Sequence, residues 1–123
     1  MAHILIIEDD EHFRPMLAQM LTQDNHRVRV ACNGEEGMAM VMAEKPDLVI
    51  TDVLMPKMDG IDFVMALSRQ NTSIPVIAIS GGRRAISAEF NLDSASLIGV
   101  QATLAKPFSR TDLRQAVEKA LVG

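Results

Sequence analysis

The chain has 123 residues, a net charge of −4 and 48% apolar residues, which fits one folded domain and excludes a disordered chain. Its single cysteine, Cys32, excludes an internal disulfide, and no apolar run approaches the ~20 residues of a membrane helix. No dense basic stripe is present and only four residues are aromatic, which argues against direct nucleic-acid binding. The N-terminus lacks a signal-peptide pattern. We therefore expect a cytoplasmic protein without membrane insertion.

Five short apolar runs predict strands. In chain order they are residues 4–7, 27–31, 48–50, 75–79 and 101–105. The first, third and fourth are almost purely apolar, as strands covered on both faces require. The second alternates apolar with basic residues, which predicts a half-exposed edge strand.

Helical patterns lie between these strands and after the last one. The first helix is predicted to begin near His12, because Pro15 is tolerated only in the first turn. Its predicted buried face consists of Phe13, Met16, Leu17, Met20 and Leu21. Further helices are predicted at residues 38–43, entered through residues 34–37, at residues 61–67 and at residues 86–98.

The last helix is predicted to open at a capping box formed by Ser109 and Asp112. Its predicted inward side chains are Leu113, Val117 and Leu121. Five alternations of strand and helix predict an α/β fold with a doubly wound parallel sheet. We expect one domain over residues 1–123, with no output domain after the last helix.

Polar residues follow four of the predicted strands. They are Glu8, Asp9 and Asp10 after the first strand, Asp52 after the third, Ser80 after the fourth and Lys106 after the fifth. The carboxyl ends of the strands meet at one rim of such a sheet. Clustered carboxylates suit Mg²⁺, and an aspartate can attack phosphorus. A lysine and a serine hydroxyl can contact phosphoryl oxygens, so the rim is predicted to accept a phosphoryl group.

Four segments, IIEDDE, TDVLMPKMDG, VIAISGG and LAKPF, resemble in order and spacing the signatures of the response-regulator receiver domain. The resemblance covers essentially the whole chain. It implies a flavodoxin-like (βα)5 three-layer sandwich, with a five-stranded parallel sheet in the order 2-1-3-4-5. It also implies a phosphorylation switch that receives its phosphoryl group from a phosphohistidine of a sensor histidine kinase or histidine phosphotransfer protein, and that acts on a downstream target protein.

The resemblance assigns roles by position. Asp52 corresponds to the phosphoacceptor, and Ser80 and Lys106 to the residues that contact the phosphoryl group. The implied Mg²⁺ ligands are Glu8, often through water, Asp9, Asp52 and the backbone carbonyl of Leu54. A cis peptide bond is implied before Pro107.

Three other expectations concern nearby polar residues. Asp10 is expected to cap the first helix rather than to bind metal. The histidines His3, His12 and His26 lack metal-ligand spacing and are expected to be structural or solvated. Cys32 is expected to be an inert small residue.

The chain departs from familiar receivers at several positions. The interval from Ser80 to Lys106 is longer, and Thr103 stands where many receivers carry a switching aromatic residue. We therefore hypothesise that the signal passes through residues 81–98. Leu54 and Gly82 offer no polar group for an attacking water, which predicts slow self-dephosphorylation.

Three other functions are alternatives to the receiver interpretation. Aspartate-based phosphatases need a second Asp where Leu54 stands, so we expect no enzyme activity beyond the protein's own aspartyl phosphorylation and dephosphorylation. A flavodoxin-like cofactor binder is disfavoured, because Glu8, Asp9 and Asp10 would repel a phosphate. A protein-binding scaffold with the receiver fold that acts without phosphorylation remains an alternative.

Overall fold

Five parallel strands form one sheet. The computed structural model describes residues 2–52, 65–67, 69, 74–80 and 100–122, with Ser80 described by its backbone. The strands are β1 (His3–Ile7), β2 (Arg27–Ala31), β3 (Leu48–Asp52), β4 (Val76–Ser80) and β5 (Val100–Ala105). Their order is β2-β1-β3-β4-β5, and every neighbouring pair is parallel. The predicted doubly wound sheet and its strand order are confirmed.

Three helices have defined bounds. They are α1 (Phe13–Gln23), α2 (Gly34–Ala43) and the C-terminal helix (Arg110–Val122). Residues 65–67 and 69 are also helical and fall at the end of the predicted third helix. The predicted fourth helix, 86–98, lies outside the described residues. Within the described ranges, no helix combines the length and the apolar composition needed to cross a membrane.

The sheet is covered on both faces, because successive strand residues point to opposite sides. Ile4 and Ile6 belong to a buried cluster with residues of α1 and of the C-terminal helix. Leu5 and Ile7 belong to a second cluster with Val41 of α2. Each of the four β1 residues is fully buried. This two-sided burial explains why the central strands carry almost no polar residues.

Helix α1 begins where the sequence predicts. His12 occupies the N-cap position, and Pro15 lies in the first turn. Leu17 is fully buried, but Met16 is 48% exposed, so its assignment to the buried face was wrong. Adjacent helical residues point roughly 100° apart, and the narrow buried stripe through Leu17 and Leu21 excludes Met16.

Helix α2 begins earlier than predicted. The Asn33 side chain accepts a hydrogen bond from the N–H of Glu36 at 2.9 Å, so the helix opens at Gly34. The prediction had treated residues 34–37 as an entry segment, because glycines are poor helix formers. Gly34 and Gly37 are buried in the helix, where the lack of a side chain allows close packing.

The C-terminal helix opens at the predicted capping box. The Asp112 N–H donates to Ser109 Oγ at 3.0 Å, and the Ser109 N–H donates to Asp112 Oδ2 at 3.3 Å. Leu113 is buried, but Leu121 is 38% exposed, so its inward assignment was wrong. Ala120 is buried instead, since a residue seven positions after Leu113 falls within ~20° of it on the helix.

The two outer strands differ in detail. Strand β2 is half-exposed, as predicted for an edge strand, and Val30 is 40% exposed. The pairing of β4 with β5 shifts register by one residue, because Val76 pairs with Val100 and the next residue, Ile77, pairs with Ala102. Gln101 is therefore the extra residue of a bulge.

Candidate functional site

Two adjacent strands deliver the acidic residues. Strand β1 runs into Glu8 and Asp9, and its neighbour β3 ends at Asp52. One carboxylate oxygen of each residue lies within 4.8 Å of the others. Glu8 is 1% exposed and Asp52 is 5% exposed. Such a set of hard oxygen donors, held together and mostly shielded from water, fits a cation such as Mg²⁺.

Lys106 joins this carboxylate cluster of Glu8, Asp9 and Asp52 from the far side of the sheet. It follows β5, and its Nζ donates a hydrogen bond to Glu8 Oε1 at 2.5 Å. The same Nζ lies 3.5 Å from Asp52 Oδ2. The Lys106–Pro107 peptide bond is cis, as the family resemblance implied. In the described part of the chain, the Lys106 ammonium thus contacts two of the three carboxylates.

The pKa of Glu8 reflects its burial in this cluster. Burial raises the pKa of Glu8 from 4.5 to about 7, and the charge of Asp52 adds to the rise. The hydrogen bond from Lys106 opposes the rise without cancelling it. Burial alone would lower the pKa of Lys106, but its contacts with Glu8 and Asp52 outweigh burial and raise that pKa. Lys106 is therefore a fixed positive charge, and additional positive charge would relieve the repulsion between the carboxylates.

Backbone contacts hold the acidic segment in place. The Glu8 N–H donates to the carbonyl oxygen of Ala31 at 3.0 Å, and a guanidinium N–H of Arg14 donates to the Glu8 carbonyl at 2.9 Å. Asp10 Oδ1 accepts the N–H groups of His12 at 2.8 Å and Phe13 at 3.0 Å. Asp10 therefore caps the start of α1, as predicted. The contact of Arg14 with the Glu8 carbonyl was not predicted from the sequence.

Phe13 contacts the site in a way that the sequence analysis missed. Lys106 Nζ lies 4.1 Å from the centroid of the Phe13 ring. The Phe13 ring also meets the Phe108 ring edge-to-face, with centroids 5.6 Å apart and planes at 84°. The helical periodicity had placed Phe13 only on the apolar face of α1. No pattern in the sequence signals this contact, because Phe13 and Lys106 lie far apart in the chain.

The remaining predicted site residues are described only in part. Leu54 lies outside the described residues, as does the segment 81–98 proposed to carry the signal. The backbone of Ser80 ends β4, where it pairs with Ala105 of β5. Thr103 is partly buried in β5 and pairs with Ala78.

The histidines and the cysteine are not members of the carboxylate cluster. His3 Nε2 accepts a hydrogen bond from Arg29 Nε at 2.6 Å, and His26 Nδ1 accepts the Ala2 N–H at 3.1 Å. Both are structural, as expected. His12 and Cys32 are exposed.

Comparison with known proteins identifies the family to which this chain belongs. A family model described as the response regulator receiver domain matches residues 4–118. The transcriptional regulatory protein PdtaR of Mycobacterium tuberculosis is 36% identical over 119 residues, which cover 96% of this chain and 56% of the relative. The alkaline phosphatase synthesis transcriptional regulatory protein PhoP of Bacillus subtilis is 30% identical over 118 residues, covering 96% and 48%. The chain spans about half the length of the curated relatives it matches.

Solved structures show the same fold. The chemotaxis protein CheY4 of Vibrio cholerae has a TM-score of 0.87 at 28% identity, over 98% of this chain and 99% of that one. NtrX from Brucella abortus has a TM-score of 0.86 at 28% identity, over 98% of this chain and 27% of the larger protein.

Proposed function

Because this chain belongs to the response regulator receiver domain family of two-component signalling systems, we propose that it is a phosphorylation switch whose acceptor is Asp52. The donor is a phosphohistidine on a sensor histidine kinase or a histidine phosphotransfer protein. The observation that carries the proposal is the position of Asp52, a buried carboxylate within 4.8 Å of those of Glu8 and Asp9 and 3.5 Å from the Lys106 ammonium.

The carboxylate cluster would hold Mg²⁺. Glu8, Asp9 and Asp52 supply the oxygen donors in the described residues, and Leu54 would add its backbone carbonyl. When bound, Mg²⁺ would neutralise charge on a phosphoryl oxygen. Glu8 and Asp52 are almost completely buried, and a bound cation would offset the cost of burying their charges.

Asp52 supplies the nucleophile. One of its carboxylate oxygens forms the new O–P bond as the P–N bond of the phosphohistidine breaks. The electron pair of that bond leaves on the imidazole nitrogen, which takes up a proton. The Lys106 ammonium is close enough to Asp52 to contact a phosphoryl oxygen, and the Ser80 hydroxyl would hydrogen-bond another.

The protein would turn over no external substrate, because the chemistry ends on its own aspartate. The phosphorylated form would present an altered surface to a downstream target protein in the cytoplasm. The relatives are named as transcriptional regulators. We propose no DNA contact by this domain itself, whose net charge is −4.

The proposal is tested by treating the protein with acetyl phosphate, an acyl phosphate donor, in the presence of Mg²⁺. Intact-protein mass spectrometry should show one added phosphoryl group that hydroxylamine removes, as expected for an acyl phosphate. Asp52→Asn should abolish the adduct, and chelation of Mg²⁺ should suppress it.

Asp47→Asn is the matched control. Asp47 directly precedes β3, at the end of the strand opposite to Asp52, and its carboxylate accepts the N–H of His3 at 2.8 Å. The Asp47→Asn variant should therefore form the phosphoryl adduct as the wild type does. A folded wild-type protein that forms no adduct would refute the proposal and favour the phosphorylation-independent scaffold.

A further inference from the structure

We infer that Phe13 is a positioning residue for Lys106, and that its ring face holds the lysine ammonium at the phosphoryl-acceptor site. The inference rests on the proposed function, because it assigns Phe13 a part in phosphoryl transfer to Asp52. It extends that function to a residue on α1 whose side chain cannot form a conventional hydrogen bond.

The geometry is that of a cation over an aromatic face. Lys106 Nζ lies 4.1 Å from the Phe13 ring centroid, well inside the ~6 Å range of cation–π attraction. The Lys106 side chain is only 16% exposed, so water screens this attraction weakly. The ring is therefore a favourable contact for the charged form of the lysine.

Neighbouring residues hold both the backbone and the ring of Phe13. Asp10 Oδ1 accepts the Phe13 N–H at 3.0 Å, and the N–H of Asp10 donates to Glu8 Oε2 at 3.3 Å. Phe108 packs edge-to-face against the ring. Because Phe108 follows Lys106 by two residues, both ends of the contact are anchored beside the site.

An aromatic face offers something that a carboxylate partner does not. It attracts the ammonium through its quadrupole and accepts none of the three N–H donors in a conventional hydrogen bond. The ring therefore holds the ammonium without replacing the carboxylate oxygens of Glu8 and Asp52 as its hydrogen-bond acceptors. If an incoming phosphoryl group drew the lysine away from Glu8, the ring would still limit where the ammonium could go.

A ring that served only to pack the core would behave differently. Phe13 and Phe108 do pack against the buried cluster on the α1 side of the sheet, and leucine could replace much of that packing. The cation contact needs a π face, which leucine lacks. Phe13→Leu and Phe13→Tyr therefore separate the two roles, because tyrosine restores the face.

The experiment measures two quantities on the full chain. The first is the rate at which acetyl phosphate with Mg²⁺ labels Asp52. The second is the NMR shift of the Lys106 ε-methylene protons, which a ring at this distance moves upfield. Phe13→Leu should slow labelling about three- to tenfold, as expected for a partly shielded cation–π contact, and should return the shift to its ordinary value. Phe13→Tyr should restore both.

Met20→Ala is the control for simple loss of packing. Met20 lies on the same helix and packs against the same cluster, so this variant should lower thermal stability and leave the labelling rate unchanged. Equal labelling by wild type and Phe13→Leu, with Asp52→Asn inactive, would overturn the inference and leave the proposed function standing. Slow labelling by Phe13→Tyr as well would also overturn it. If the wild type takes no phosphoryl group, the proposed function fails, and the role of Phe13 in transfer fails with it.

Discussion

The two ends of the sheet carry charged networks of opposite character. At the carboxyl end, Glu8 and Asp52 are almost completely buried and share one lysine. At the amino end, Arg27 donates two hydrogen bonds of 2.6 and 3.1 Å to the Glu44 carboxylate. Arg29 donates to the Glu44 carbonyl at 2.7 Å.

The amino-end network is exposed to water, whereas the carboxyl-end network is largely buried among the described residues. The side chains of Arg27 and Glu44 are 62% and 47% exposed, so water screens their attraction. The carboxylate cluster has little water to screen its repulsion. The contrast indicates that the first network links β2 to the residue after α2, while the second keeps charged groups buried at a cost in stability.

The largest effect should follow from removing the cation of the buried end. Lys106→Met removes the buried ammonium that contacts Glu8 and Asp52, and the free energy of unfolding should fall by about 3 kcal/mol at pH 8. Urea denaturation in Mg²⁺-free buffer measures the change. Lys45→Met, at an exposed position, is the control and should unfold like the wild type. Equal stability of Lys106→Met and wild type would show that the buried end is not under electrostatic strain.

The pH dependence of stability should identify Glu8 as the strained group. Its pKa is about 7 in the folded protein and 4.5 when unperturbed, so between these values the folded state holds more protons than the unfolded state. The free energy of unfolding that Glu8 contributes is therefore lost as the pH rises from 4.5 to about 7. Without Mg²⁺, the loss between pH 5 and pH 7.5 should be on the order of 2 kcal/mol.

Glu8→Gln provides the comparison for that pH series. The variant has no proton to exchange at this position, and the difference between its stability profile and that of the wild type isolates the Glu8 contribution. Parallel profiles for the two proteins would contradict the raised pKa.

Mg²⁺ should reverse part of this strain. A cation that binds only the folded state adds about 1.4 kcal/mol at about ten times its dissociation constant, and thermal melts at pH 8 with and without Mg²⁺ measure it. Asp9→Asn removes one donor of the cluster and should weaken the effect at the same Mg²⁺ concentration. Stabilisation that survives in both Asp9→Asn and Asp52→Asn would place the cation elsewhere.

The smallest effect is expected at the amino end. Arg27→Met removes an exposed partner of Glu44, and exposed ion pairs contribute little. The melting temperature should change only slightly at low salt, and high salt should remove the difference because it screens exposed charges. A large change that persists in high salt would show that the exposed network carries more of the stability than its exposure suggests.

Local patterns predicted most of the fold. The apolar runs that became β1, β3 and β4 are short, uninterrupted and separated by helical patterns, so few arrangements bury them all. Errors arose where a neighbour decided the outcome. Asn33 started α2 early by capping it, and Leu121 is exposed because the helix turns it away from the sheet.

The site divides in the same way. Glu8, Asp9, Asp52 and Lys106 were predictable together, because each follows a strand and the strand order brings those ends to one rim. The contact between Phe13 and Lys106 was not predictable, because it joins the start of α1 to the end of β5. Chain spacing carries no information about which ring will face which cation.

The bulge at Gln101 has a consequence for the behaviour of many copies of this protein at high concentration. A straight outer strand can act as a template for another chain, and repeated addition leads to aggregates. The extra residue bends β5 and breaks its regular spacing, while Arg27 and Arg29 place positive charge along β2 on the opposite edge. A second copy that approached along β5 would therefore meet an irregular strand, and one that approached along β2 would meet long charged side chains, and both features disfavour the addition of a further strand.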